Sequence, residues 1–126
     1  VHLAYEQARK LAVVAVVLET PYTSITDVAA AHYPFAPVRL LLKDKFDAIS
    51  KIAKISSPLL VFHARDDRVI PVRFAQALFG AASQPKKAEW YDLGGHEGLF
   101  DGGAGKLVVH FINRATADRD ANITNN

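Results

Sequence analysis

Pro58-Leu59-Leu60-Val61-Phe62-His63-Ala64-Arg65-Asp66-Asp67-Arg68-Val69-Ile70-Pro71 is the stretch on which the fold turns. An apolar run ends abruptly in a doubly acidic turn, and Val69-Ile70-Pro71 then leads into a segment with helical spacing. A continuous apolar run of this length reads as a parallel strand buried on both faces, delivering a carboxylate to its C-terminal end. Open α/β sheets keep their chemistry at that end. Downstream, Asp92-Leu93-Gly94-Gly95-His96-Glu97-Gly98 repeats the arrangement, placing a histidine on a glycine-rich turn after a short aromatic strand.

Working outward, Ala88 to Leu93 alternates in polarity and is expected to be that third strand, while Val72 to Leu78 forms a helix closed by Gly80. Upstream, Leu11 to Leu18 is β-branched and apolar on both faces, which predicts a central parallel strand. Val1 to Lys10 has helical spacing but no capping residue before it. Ser24 is placed to cap a helix over Ile25 to Ala31. Residues 19–55 read as a helical, cap-like connection, with short helical pieces at Val38 to Leu42 and Phe46 to Ile55. Lys106 to Arg114 is an amphipathic closing helix, and residues 115–126 read as a polar, frayed tail. The fold expected is α/β, with three mainly parallel strands and flanking helices over residues 1–114: half of a doubly wound sheet.

Composition bounds the chemistry. The 126 residues suit one domain, with 50% hydrophobic and 22% charged residues, which fits a globular chain. The net charge of +2 is dispersed, so nucleic acid is not an expected partner. The absence of cysteine removes disulfides, thiol catalysis and thiolate-bound zinc. The longest strongly apolar run, Leu11 to Leu18, is too short to span a bilayer as a helix.

With Asp67 and His96 in view, the chain resembles the α/β-hydrolase superfamily. Ala64-Arg65-Asp66-Asp67-Arg68-Val69-Ile70-Pro71 is similar to the acid loop of that family, Gly94-Gly95-His96-Glu97-Gly98 to its histidine loop, and acid precedes base as it does there. The likeness runs from the first helix to Arg114 and is nearest the small-capped esterase, lipase and acyl-peptidase-like members. It implies a serine hydrolase acting on esters, thioesters or amides, with no cofactor and a small-molecule or acyl substrate. It implies Asp67 as the triad acid, since Asp67 holds the family position four residues before the proline, and His96 as the general base. From the residues alone either carboxylate can serve, and a carboxylate after a strand is also what a helix cap or loop-solvating residue looks like, which is the reading given to Asp66.

The other histidines, His2, His32, His63 and His110, read as structural or surface residues, with His63 packing or bonding to backbone at a strand end. Glu97 reads as a solvent-facing or loop-bracing residue rather than a second acid. Tyr22, Tyr33, Phe35, Leu99 and Phe100 are at home lining an acyl pocket, in a core or at a surface turn.

The chain departs from the family pattern at the nucleophile. None of its five serines, Ser24, Ser50, Ser56, Ser57 and Ser83, sits in Gly-x-Ser-x-Gly. Ser24, after a strand, is a weak candidate whose capping role is the better reading. Because Val1 opens in mid-helix, the expectation is a C-terminal half whose nucleophile, oxyanion loop and any signal or anchor lie upstream, and which is inactive alone. The alternatives are a binding or interaction module, self-associating through an exposed sheet edge, and a Rossmann-like or metal site. The last two lack the glycine spacing and the ligand spacing they require.

Overall fold

The computed structural model describes residues 1–41 and 47–124. Three strands, β1 (Val16–Glu19), β2 (Leu59–Ala64) and β3 (Lys86–Tyr91), form a parallel sheet in the order β1-β2-β3. Helices α1 (His2–Lys10), α2 (Ile25–His32), α3 (Val38–Leu41), α4 (Ile49–Ile52), α5 (Val72–Ala81) and α6 (Gly105–Thr124) surround it. The expected helical pieces at Val38 to Leu42 and Phe46 to Ile55 fall partly on residues 42–46, outside the described residues.

β2 is the centre of the molecule, buried at all six positions. The two-residue period of a strand sends its side chains into two cores. Leu59 and Val61 pack with Val16, Leu18, Ile52, Ile55, Ala75 and Leu78. Leu60, Phe62 and Ala64 pack with Leu99 and Ala104 on the opposite face. Burying side chains of this size contributes about 1.5–3 kcal/mol each. An unbroken apolar run is therefore what this position demands.

Several boundaries differ from the sequence reading. The expected central strand over Leu11 to Leu18 shrinks to Val16–Glu19 and lies at the edge of the three described strands, where Leu11 is exposed and nothing pairs with residues 11–15 among the described residues. β3 begins at Lys86 and ends at Tyr91, so Asp92 and Leu93 belong to the loop. α5 runs past Gly80 to Ala81 because the Lys86 ammonium donates to the carbonyls of Phe79 and Ala82, at 2.7 and 2.8 Å, taking over the role assigned to glycine. The tail expected to fray after Arg114 instead continues α6 to Thr124. Ala115 is buried, and the Thr116 and Thr124 hydroxyls bond back to the carbonyls of Ile112 and Asp120. Alanines at 115, 117 and 121 favour helix strongly enough to outweigh the polar composition.

Candidate active site

Because β2 and β3 are adjacent and parallel, the loops that follow them meet at one end of the sheet. The ladder continues one step past the strands, with Arg65 N–H donating to Tyr91 O at 2.7 Å. The chain then breaks away on each side into the acid loop and the histidine loop.

In the acid loop, Asp67 turns inward and its side chain is fully buried. Oδ1 accepts the backbone N–H groups of Val69 and Ile70, both at 2.8 Å, so the carboxylate builds its own turn. Oδ2 lies 2.9 Å from His96 Nδ1. Burial, the largest influence, pushes the Asp67 pKa up, but the bonds from His96, Ile70 and Val69 outweigh it and hold the carboxyl below its ordinary value. Asp67 is therefore held as a carboxylate at neutral pH. With Nδ1 donating to it, a neutral His96 imidazole has its lone pair on Nε2. The His96 side chain is 32% exposed, so it is open to solvent while its partner is not.

The histidine loop is held from two sides. Asp66, read from sequence as a cap or loop-solvating residue, accepts the Gly95 N–H at 2.8 Å and so ties the loops together. Gly98 N–H donates to Gly94 O at 2.9 Å, closing the turn around His96. A Cβ on Gly98 would sit 2.6 Å from that same carbonyl oxygen. Leu99, a candidate pocket residue, is 1% exposed and packs against the β2 core, anchoring the loop from below. Phe100 stays half-exposed and meets the Phe62 ring edge-on, with centroids 6.0 Å apart. Tyr33 and Phe35 are exposed. Ser24 Oγ accepts the Asp27 N–H at 3.0 Å and caps α2.

No protein-family model matches the chain. The lysophosphatidylserine lipase ABHD12 of Danio rerio is 36% identical to it over 100 residues, spanning 68% of this chain and 25% of the lipase. The alpha/beta hydrolase domain-containing protein 17B of Homo sapiens is 37% identical over 82 residues, spanning 65% of this chain and 27% of the relative. Among solved structures, the acetyl xylan esterase from Paenibacillus sp. R4 superposes with a TM-score of 0.68 at 17% identity, covering 89% of this chain and 41% of the esterase. The chain has part of the α/β-hydrolase fold and is similar in sequence to part of these hydrolases. It spans about a quarter of the length of these curated relatives.

Two histidines of this chain do more than the sequence suggested. His63 Nε2 lies 2.8 Å from Ile70 O, the backbone bond expected of it, but also 3.3 Å from Asp67 Oδ2. His32, at the end of α2, reaches Val69 O at 2.7 Å and links the connection after β1 to the acid loop. The only sequence signal for either was a histidine at the end of an element. Neither contact is readable without the fold, because residues 37 and 7 positions apart meet through a turn that Asp67 itself shapes.

Proposed function

We propose that the chain carries the acid and the base of a serine-hydrolase triad, with Asp67 as acid and His96 as general base. The observation that carries this reading is the buried Asp67 carboxylate, 2.9 Å from His96 Nδ1, at the C-terminal ends of adjacent parallel strands. In this reading His96 Nε2 takes the proton of a serine hydroxyl as that oxygen attacks an acyl carbonyl, then returns it to the leaving group. Asp67 keeps the ring in the tautomer that leaves Nε2 free and stabilises the imidazolium that forms. An ester, thioester or amide would be cleaved through an acyl-enzyme. Lipase and esterase are the names borne by relatives of similar sequence or shape, and they favour an acyl substrate.

The nucleophile is proposed to lie outside these 126 residues. None of the five serines stands between glycines at the spacing of the family motif, and Ser24 Oγ is engaged as a cap. A fluorophosphonate probe tests this. The expected result is no labelling of the 126-residue chain, and labelling of a longer chain carrying the upstream segment that disappears on His96→Ala. Labelling of the 126-residue chain that is lost on Ser24→Ala would overturn the placement of the nucleophile. A longer chain that binds no probe at all would favour a non-catalytic interaction module.

A further inference from the structure

We propose that His63 is a positioning residue of the Asp67–His96 pair: a buried neutral imidazole, protonated on Nε2, that shares Asp67 Oδ2 with His96. The proposal rests on the acid–base reading of that pair. His63 is fully buried on β2, and its two polar neighbours at Nε2 are both acceptors, Ile70 O at 2.8 Å and Asp67 Oδ2 at 3.3 Å. Two acceptors at one ring nitrogen place the proton there. Nδ1 is then the bare nitrogen, and among the described residues it has no hydrogen-bond partner. Burial disfavours a second proton and lowers the His63 pKa more than the neighbouring carbonyl and carboxylate raise it.

The consequence is a full set of donors around one carboxylate. Oδ1 takes the N–H groups of Val69 and Ile70, while Oδ2 takes His96 at 2.9 Å and the longer branch of the His63 proton. The two backbone donors fix the plane of the carboxylate. His63 instead acts on the oxygen that faces His96, spreading its charge over two imidazoles. By holding Ile70 O as well, it closes the acid loop around that oxygen. Among the other charged groups of the two loops, which include Arg68 and Glu97, Asp66 is engaged with Gly95 N–H, and Arg65 with Asp92 at 3.2 Å.

The test uses the 126-residue chain with ¹⁵N-labelled histidine and ¹³C-labelled aspartate, where five histidines keep the spectrum resolved even in an associated species. In the wild type, His63 is expected as the Nε2–H tautomer; an Nδ1–H tautomer would overturn the proposal whatever the variants do. His63→Leu removes the donor, and His63→Gln keeps an N–H near the Nε2 position. In His63→Leu the His96 Nδ1–H proton is expected to move downfield, because its bond to Oδ2 no longer has a competitor. The Asp67 carboxyl titration is expected to rise by about half a pH unit. His63→Gln is expected to restore both toward wild type. If His63 only clips the Ile70 carbonyl, stability falls in His63→Leu with neither signal moved, and the proposal is wrong. If His63→Leu does not fold, His63→Gln decides: a Gln variant that folds but gives the same two signals as a His63→Asn variant, which cannot reach Oδ2, refutes it. Asp67→Asn separates the two readings. A His96 Nδ1–H signal indifferent to Asp67→Asn sinks the acid–base pair itself, whereas one that responds to Asp67→Asn but not to His63→Leu sinks only the role of His63.

Discussion

Asp67 and His63 bring a common dependence on pH into the acid loop. Asp67 titrates in the folded chain below its ordinary value of 3.8, so its contribution is present above that value and is lost as pH falls through the folded value. His63 also titrates below its ordinary value, 6.5, so the unfolded chain takes up that proton first and stability declines as pH drops below 6.5. Chemical denaturation should therefore show stability falling from pH 7 to about 5, before carboxylates contribute. His63→Gln should flatten this limb; an unchanged limb would show that another group causes it. The two neighbouring aspartates should separate by role. In a longer chain that labels with fluorophosphonate, Asp67→Ala should slow labelling by about 10³–10⁴-fold. Asp66→Ala removes only the acceptor of Gly95 N–H, so it should cost about 1 kcal/mol of stability and much less labelling. Equal effects would mean that the acid was assigned to the wrong residue. Sequence alone left either carboxylate possible, and the family position favoured Asp67. The inward turn of Asp67 explains the difference, since its oxygens collect Val69, Ile70 and His96 while Asp66 faces only the loop.

At the scale of an element, the histidine loop depends on close backbone approach. A side chain on Gly98 would meet Gly94 O at 2.6 Å, a backbone atom that cannot step aside without opening the turn. Gly94 has φ 144°, and a Cβ there would lie 2.8 Å from Leu99 Cδ2. Gly98→Ala is predicted to lose the downfield His96 Nδ1–H resonance while far-UV circular dichroism stays unchanged, at a cost of about 1–3 kcal/mol. Retention of that resonance would show that the turn tolerates a side chain. The glycines were visible in sequence as a turn, and the strand before them as aromatic and alternating. The sealing of that turn by a buried Leu99 was not, because a leucine after a glycine turn reads equally as pocket rim or core. Likewise polarity alone ends α6 at Arg114, whereas alanine content and the burial of Ala115 extend it to Thr124.

For the whole molecule, the unequal sheet edges carry the prediction. β3 presents Lys86, Lys87 and Glu89, charges that discourage pairing. β1 is apolar over Val16, Val17 and Leu18, the first and last of them buried, before its single charge at Glu19, and among the described residues it pairs only with β2. We propose that this edge mediates self-association of the 126-residue chain. Sedimentation should show mass rising with concentration in the micromolar range, and Val17→Lys should suppress it; a monomer throughout would refute the edge contact. Among the described residues no helix is long and apolar enough to cross a membrane.

The order of apolar runs, acidic turn and glycine turn determined by itself that this chain would build parallel strands and end two of them in polar loops. Burial on both faces of β2 admits no other composition, and a turn needs residues that tolerate it. Tertiary structure alone decided which strand was central and that His63 belonged beside Asp67, and it turned the aspartate that the family position favoured toward the histidine. Those outcomes depend on strand order and on side-chain direction at the end of the sheet. Both are set by contacts between residues distant in sequence, such as Asp67 with His96, rather than by the local pattern of either loop.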